Sequence, residues 1–344
     1  MASLNLLERL EQGPVICAEG YVFEMERRGY LQAGAFVPEV VLDRPDAVTE
    51  LHRELMYAGS DVIEAFTYYA HRDKLRIVGR EDDLEEMNRT ALKLAKEVAA
   101  EGDALVAGNI CNTNIFLPDD SERKKTCRAI FEEQVRWAMD AEVDFIIGET
   151  FSFYEEALLA LEVIRNAGAI SVVTLAVHLG GMRDDYTLPE ACQRLRDAGA
   201  DVVGLNCIRG PNTMLPLLEE IRKEVEGPLA ALPVPYRTTP EEATFQSLTD
   251  PGCHCIPGRA FPTALDALTC NRYEIAEFAK KALALGVNYQ GVCCGAGPHH
   301  IRAMAEALGK NPPASRYSPD MSKHYALGTD ERLAKEYLEL EKDL

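Results

Sequence analysis

Positive charge is scarce in this chain: 36 Lys and Arg stand against 56 Asp and Glu in 344 residues, a formal net charge of −20. Such a field repels phosphate backbones and anionic lipid, which argues against nucleic-acid and membrane partners. Long apolar runs are also missing. Stretches such as Ile170 to Val177 fall well short of the roughly 20 residues a membrane helix needs. Met1 to Gln12 lacks the basic start and apolar block of a secretion signal. These absences lead us to expect a soluble, cytoplasmic protein. Ten cysteines are too few for a secreted disulfide scaffold in a chain this long, so most thiols are expected to be reduced. No Gly-x-Gly-x-x-Gly fingerprint marks a dinucleotide fold, and the sole tryptophan, Trp137, falls within a helical stretch. What is present, 47% apolar and 27% charged residues, describes a folded chain with a sizeable core.

A helical stretch, a small residue and then a short apolar run ending on a polar or reactive residue form a pattern that recurs along the chain. The runs are Pro14 to Cys17, Asp61 to Phe66, Ala104 to Asn109, Val143 to Glu149, Ile170 to Val177, Asp201 to Cys207, Leu229 to Val234 and Val287 to Cys294. Between them lie amphipathic segments. Leu84, Met87, Ala91, Leu94, Ala95 and Val98 recur at three- and four-residue spacing, with Gly102 as a stop. Apolar strands alternating with helices predict a parallel sheet covered by helices, and the count favours a (β/α)8 barrel over an open doubly wound sheet.

The barrel is expected to occupy residues 1–310, with 311–344 as a C-terminal helical extension suited to an oligomerisation arm. The stretch Pro235 to Asn271, rich in proline and glycine, has no helical phasing and reads as a lid or binding loop.

A parallel barrel builds its active site at the carboxyl ends of its strands. Here the fourth run ends in Gly148-Glu149-Thr150, the sixth in Asn206-Cys207, and the eighth in Cys293-Cys294-Gly295. Three thiols and a carboxylate then share one rim. Neighbouring Cys293 and Cys294 reach a single point only where the chain turns, which Gly291 and Gly295 permit. A lone cysteine is most often a buried thiol, and a vicinal disulfide is a further alternative. As a trio, the cysteines form the donor set of a zinc site with its fourth position open. Such a site takes up an incoming thiol and keeps it as thiolate, which points to alkyl transfer to a substrate thiol.

The segments around Cys207 and Cys293-Cys294-Gly295 resemble the zinc signature of the homocysteine S-methyltransferase family. Longer stretches resemble its betaine–homocysteine branch, among them Tyr21 to Tyr30, Leu51 to Glu54, Ala65 to Ala70, Glu101 to Gly108 and His300 to Glu306. The resemblance spans about residues 5 to 310 and implies a (β/α)8 barrel with Zn2+ on Cys207, Cys293 and Cys294. It also implies homocysteine as acceptor, methionine as product and a betaine-like onium donor, glycine betaine or dimethylsulfoniopropionate, in a homodimer or larger homo-oligomer.

By position, the resemblance implies that Glu149 holds the amino end of homocysteine, that Thr67 orients the amino-acid part and that Tyr69 meets the donor's carboxylate. Phe36, Tyr68 and Tyr69 are candidates for an aromatic cage around the onium. Because the two tyrosines are adjacent, an extended run would let only one face the site. His178 is expected to make a polar substrate contact. The family's Asp-Gly-Gly turn is replaced by Ala18-Glu19-Gly20, which leaves Glu19 and Gly20 as the candidates there. Thr150 stands where the betaine branch has a tyrosine, and Phe36 where it has a tryptophan. These departures keep open a different thiol acceptor, S-methylmethionine as donor, or a zinc-held binding protein without catalysis. Cys253-His254-Cys255 is too tightly spaced for an ordinary tetrahedral site. Either His299 or His300, at a helix start, is expected to cap or to contact the substrate loop, and Cys17, Cys111, Cys127, Cys192 and Cys270 show no converging partner in the sequence.

Overall fold

The computed structural model describes residues 4–253 and 256–344. Its centre is a closed barrel of eight parallel strands in sequence order. They are β1 (Val15–Ala18), β2 (Val62–Glu64), β3 (Leu105–Cys111), β4 (Phe145–Phe151), β5 (Ser171–Leu175), β6 (Val202–Asn206), β7 (Leu229–Leu232) and β8 (Val287–Val292). β8 closes on β1 with Val15 opposite Tyr289 and Ala18 opposite Val292. Each strand overlaps one of the eight runs read from the sequence, β1, β3 and β4 running one or two residues past the end of theirs, so the (β/α)8 barrel expected there is the fold observed.

Strand residues alternate between the barrel's inside and its helical coat. The inner positions low in the barrel are apolar: Val15, Val62, Leu105, Phe145, Val172, Val202 and Tyr289 pack together, fully buried. Leu6 and Leu10 of the helix Leu6–Gln12 join that cluster and cover the amino-terminal end. The helix begins at a capping box in which Asn5 and Glu8 each accept the other's backbone N–H.

Outside, the helix Leu84–Ala99 buries Leu84, Met87, Ala91, Leu94, Ala95 and Val98, the stripe its spacing predicts. Two steps further along β2, β3 and β4, toward the carboxyl ends, the inward positions turn polar: Glu64 follows Val62, Asn109 follows Ala107, and Glu149 follows Ile147. Asn206 ends β6 at the same level.

Two segments depart from the expected regularity. The connection after β7 carries a bridge pairing Tyr236 with Thr269 and a 3-10 turn at Asp266–Leu268, and it folds across the barrel mouth. The C-terminal segment packs Ala314 and Ala326 inward, but only Lys335–Leu338 forms an α-helical turn, followed by a 3-10 stretch over Glu339–Asp343. Among the described residues no helix is long and apolar enough to cross a membrane.

Candidate active site

The carboxyl ends of β6 and β8 bring three thiols together: the sulfurs of Cys207, Cys293 and Cys294 all lie within 4.8 Å of one another. Cys207 leaves its strand with φ +55°, a left-handed conformation that aims the sulfur across the barrel mouth. Its N–H donates to the Leu232 carbonyl at 2.8 Å. After β8 the chain turns at once, with Cys293 N–H donating to the Pro233 carbonyl and Gly295 at φ +95°. This turn places the two neighbouring sulfurs 3.9 Å apart on the same side. Arg27 fixes it from outside by donating to the Gly295 carbonyl at 2.9 Å and the Tyr236 hydroxyl at 3.0 Å.

The donor set suits zinc. Tetrahedral Zn–S bonds of about 2.3 Å put sulfurs about 3.8 Å apart, close to the Cys293–Cys294 spacing. The thiols of Cys293 and Cys294 hold Cys207 well below the ordinary thiol range, while burial pushes Cys293 up.

Beneath the thiols sits a polar layer inside the barrel. The Asn109 amide donates to Glu149 at 2.6 Å and also to Glu64. Asn206 donates to Glu149 at 2.6 Å, to Glu19 at 3.3 Å and to the Thr150 hydroxyl at 2.9 Å. Thr150 in turn donates to Glu149 at 3.1 Å. Burial pushes the Glu149 carboxyl up to about 7 against these hydrogen bonds. It raises Glu19 and Glu64 as well, with the Glu149 charge adding to the effect.

Above the thiols opens a cavity of about 410 Å³ lined by Cys207 and Cys294 and by the rings of Phe23, Phe36, Tyr68, Tyr69, Phe245 and Phe261. Tyr68 and Tyr69 both face it, contrary to the expectation for an extended run. β2 ends at Glu64 and Tyr69 has φ +61°, so strand alternation no longer applies. The two rings lie 4.3 Å apart, and the Lys74 ammonium covers one Tyr69 face 3.9 Å from its centroid. Phe36, also left-handed at φ +53°, meets Phe23 edge-on. His178 reaches the same cavity, with Nε2 3.1 Å from the Ser152 hydroxyl.

Other candidates sit differently. Thr67 donates its hydroxyl to the Asn109 carbonyl at 2.8 Å and so ties β2's end to β3. Gly20 starts the helix Tyr21–Arg27 and packs against the Ala296 carbonyl. His300 caps its helix, accepting from Gly297 N–H at Nδ1 and donating from Nε2 to the Cys270 carbonyl. Cys17 comes within 4.8 Å of Glu19 and Glu64 carboxylate atoms, a convergence hidden in the sequence. Cys253 is buried, while His254 and Cys255 lie outside the described residues.

Sequence reasoning passed over Glu64, Asn109, Phe23, Phe245 and Phe261 and gave Asn206 no role. A polar residue within an apolar strand run was a usable signal for Glu64, Asn109 and Asn206. None marked the two loop phenylalanines.

The homocysteine S-methyltransferase family model matches residues 18–308. The chain is 37% identical to S-methylmethionine–homocysteine S-methyltransferase BHMT2 of Pongo abelii, across 91% of this chain and 85% of that one. It is also 37% identical to betaine–homocysteine S-methyltransferase 1 of Xenopus tropicalis, across 95% and 81%. The metallated form of the Escherichia coli homocysteine methyltransferase MmuM superimposes with a TM-score of 0.67 at 19% identity, covering 87% of this chain and 98% of that one. The family match over residues 18–308, together with 37% identity to curated members across most of the chain, shows that this chain belongs to the homocysteine S-methyltransferase family.

Proposed function

We propose that this protein is a zinc-dependent S-methyltransferase that moves a methyl group from a betaine-like onium carboxylate to homocysteine, giving methionine. The observation that carries this reading is the cluster of Cys207, Cys293 and Cys294 sulfurs at the floor of an aromatic cavity. Zinc, when bound by those three residues, supplies deprotonation and placement of the acceptor thiol.

The remaining work falls to the chain. An onium methyl group has diffuse charge and no hydrogen to donate, so the ring faces around Phe36 and Tyr68 suit it. Arg183 lines the same cavity and offers a cation to the donor's carboxylate. Glu149, held by Asn109 and Asn206, faces the amino end of the acceptor. The thiolate attacks the methyl carbon in line, the C–N or C–S bond to the onium breaks, and a neutral amine or sulfide leaves. No proton moves in that step, so catalysis rests on holding the two reactants together.

Relatives named for betaine and for S-methylmethionine match equally well. The betaine-like donor, an onium carboxylate without an amino group, is favoured by the resemblance of Ala65 to Ala70 and of Tyr21 to Tyr30 to the betaine branch. A product assay tests the reading: zinc-loaded protein and homocysteine are given glycine betaine, dimethylsulfoniopropionate or S-methylmethionine separately, and methionine is quantified. Methionine from one of the first two is the expected result. Methionine from S-methylmethionine alone would replace the donor, and none from any donor would overturn the reading.

A further inference from the structure

Tyr69 borders the aromatic cavity, but both faces of its ring are already covered. The Lys74 ammonium stands 3.9 Å from the ring centroid, and the Tyr68 ring packs 4.3 Å from it at 41°. At those separations the two cannot share a face, so the ring is held between them. His71 meets it edge-on at 6.1 Å, and the Tyr69 N–H donates to Cys111 Sγ at 3.2 Å. What is left to the cavity is the hydroxyl end, beside the Asn114 side chain.

Lys74 is an exception among the cations of its helix, Arg72–Ile77. Arg72 pairs with Glu133 and Arg76 with Asp73. Lys74, half-buried, makes no ion pair and no side-chain hydrogen bond among the described residues, and its partner is the Tyr69 ring. It does not line the cavity, so its charge stands behind that ring. Burial holds His71 down to about 4, which leaves the cation there to Lys74. A cation on a ring face draws the π electrons toward itself. The phenol O–H becomes a stronger donor to an anion, and the ring a poorer seat for a second cation. Deeper in the barrel the charge is reversed: a second, small cavity bordered by Glu19, Glu64 and Glu149 touches Cys293 and Cys294.

We propose that Lys74 is a positioning residue that commits Tyr69 to the donor's carboxylate and turns the onium away from it, toward the thiols and the phenylalanine rings. This rests on the reading above in one respect, that the cavity takes an onium carboxylate. Lys74 then makes the site selective for donors that carry an anionic end, because an onium alone gains nothing from a ring already occupied by a cation.

Calorimetric titration of the zinc-loaded protein, with no thiol present so that no transfer occurs, compares glycine betaine with tetramethylammonium, which is the onium alone. Lys74→Met keeps the alkyl stem over Tyr69 and removes the charge, whereas Lys74→Arg keeps a cation. In Lys74→Met, glycine betaine is expected to bind about tenfold more weakly, and tetramethylammonium within about threefold of the wild type or more tightly. Lys74→Arg should hold both within about threefold. Donor KM at saturating homocysteine, and inhibition by tetramethylammonium against the donor, give the same comparison and decide it if the donor binds only after the acceptor. Zinc content and circular dichroism show whether each variant folds; if Lys74→Met does not, Lys74→Gln is read in the same way.

A parallel loss of both ligands in Lys74→Met would make Lys74 a structural prop and overturn the proposal. Wild-type affinity for glycine betaine in that variant would also overturn it, as would failure of Lys74→Arg to restore binding. Lys74-dependent binding of glycine betaine without methyl transfer would refute the proposed function and leave this role standing. Transfer with a wild-type donor KM in Lys74→Met would do the reverse, and neither binding nor transfer would overturn both.

Discussion

The Tyr236 hydroxyl occupies the space that a side chain at Gly295 would need: a Cβ there would lie well inside van der Waals contact with it. The tyrosine is itself held by Arg27 at 3.0 Å, so it has little room to withdraw. Gly295 also has φ +95°, where an L side chain is strained. Gly295→Ala should therefore destabilise the protein by more than about 1 kcal/mol and loosen the cysteine turn. Urea unfolding and zinc content check both effects, and a variant with wild-type values for each would refute the account.

Removing any one of the three rim thiols should abolish metal retention. Cys207→Ser, Cys293→Ser and Cys294→Ser are each expected to lose zinc and methyl transfer together. Cys127 is also buried, but lies beside Thr113 away from the rim, and Cys127→Ser should keep both. Equal loss in all four variants would sink the assignment of the ligands.

Asn206 connects three acceptors with one amide nitrogen. Asn206→Leu would leave Glu19 Oε2 without its donor and take one from Glu149. The expected cost is about 2–3 kcal/mol of stability. KM for the acceptor should rise while KM for the donor changes little. A rise confined to the donor would place this network on the wrong side of the site.

The aromatic lining makes the opposite prediction. Phe36→Leu keeps an apolar side chain but removes a ring face, worth about 1 kcal/mol to a bound onium. Donor KM should rise roughly fivefold, with acceptor binding unchanged. Steady-state kinetics with each substrate varied in turn separates the two.

His300 sets a pH dependence independent of the metal. Burial holds it down to about 4, and its Nδ1 must stay unprotonated to accept from Gly297. Between pH 6.5 and 4 the unfolded chain binds a proton there that the folded chain does not, so stability rises with pH across this window and falls on acidification. This one group accounts for about 3 kcal/mol over the window. Urea midpoints of wild type and His300→Gln, measured from pH 4 to 7, should differ in slope below pH 6.5. Parallel curves would contradict the cap.

The barrel was legible because strand and helix periods alternate along the chain, interrupted within the barrel only by Pro235 to Asn271, and each apolar run is long enough to be read alone. The cysteines were legible because a doublet between glycines is unusual in a strand ending. Glu64, Asn109 and Asn206 were written into the same runs as polar interruptions, and counting by two from Val62 and Ala107 places the first two inside. Phe245 and Phe261 were not legible: the loop that carries them has no period, and its course is set by contacts such as the Tyr236–Thr269 bridge. Asp330 to Leu344 has helix-forming composition, yet little of it is buried, and short helices without packing are marginal.

The barrel is covered at its amino-terminal end by Leu6 and Leu10, and its two cavities are stacked, the acidic one inside and the aromatic one above it. Both therefore share a single entrance. A ligand seated among the rings stands in the way of anything bound for the carboxylates, so two reactants that fill both must arrive in sequence, the deeper one first. Product formed at the bottom must wait for the spent donor to leave. The kinetic signature of this architecture is compulsory-order turnover, with the donor product released first and the methylated acceptor, released last, acting as a competitive inhibitor against the acceptor.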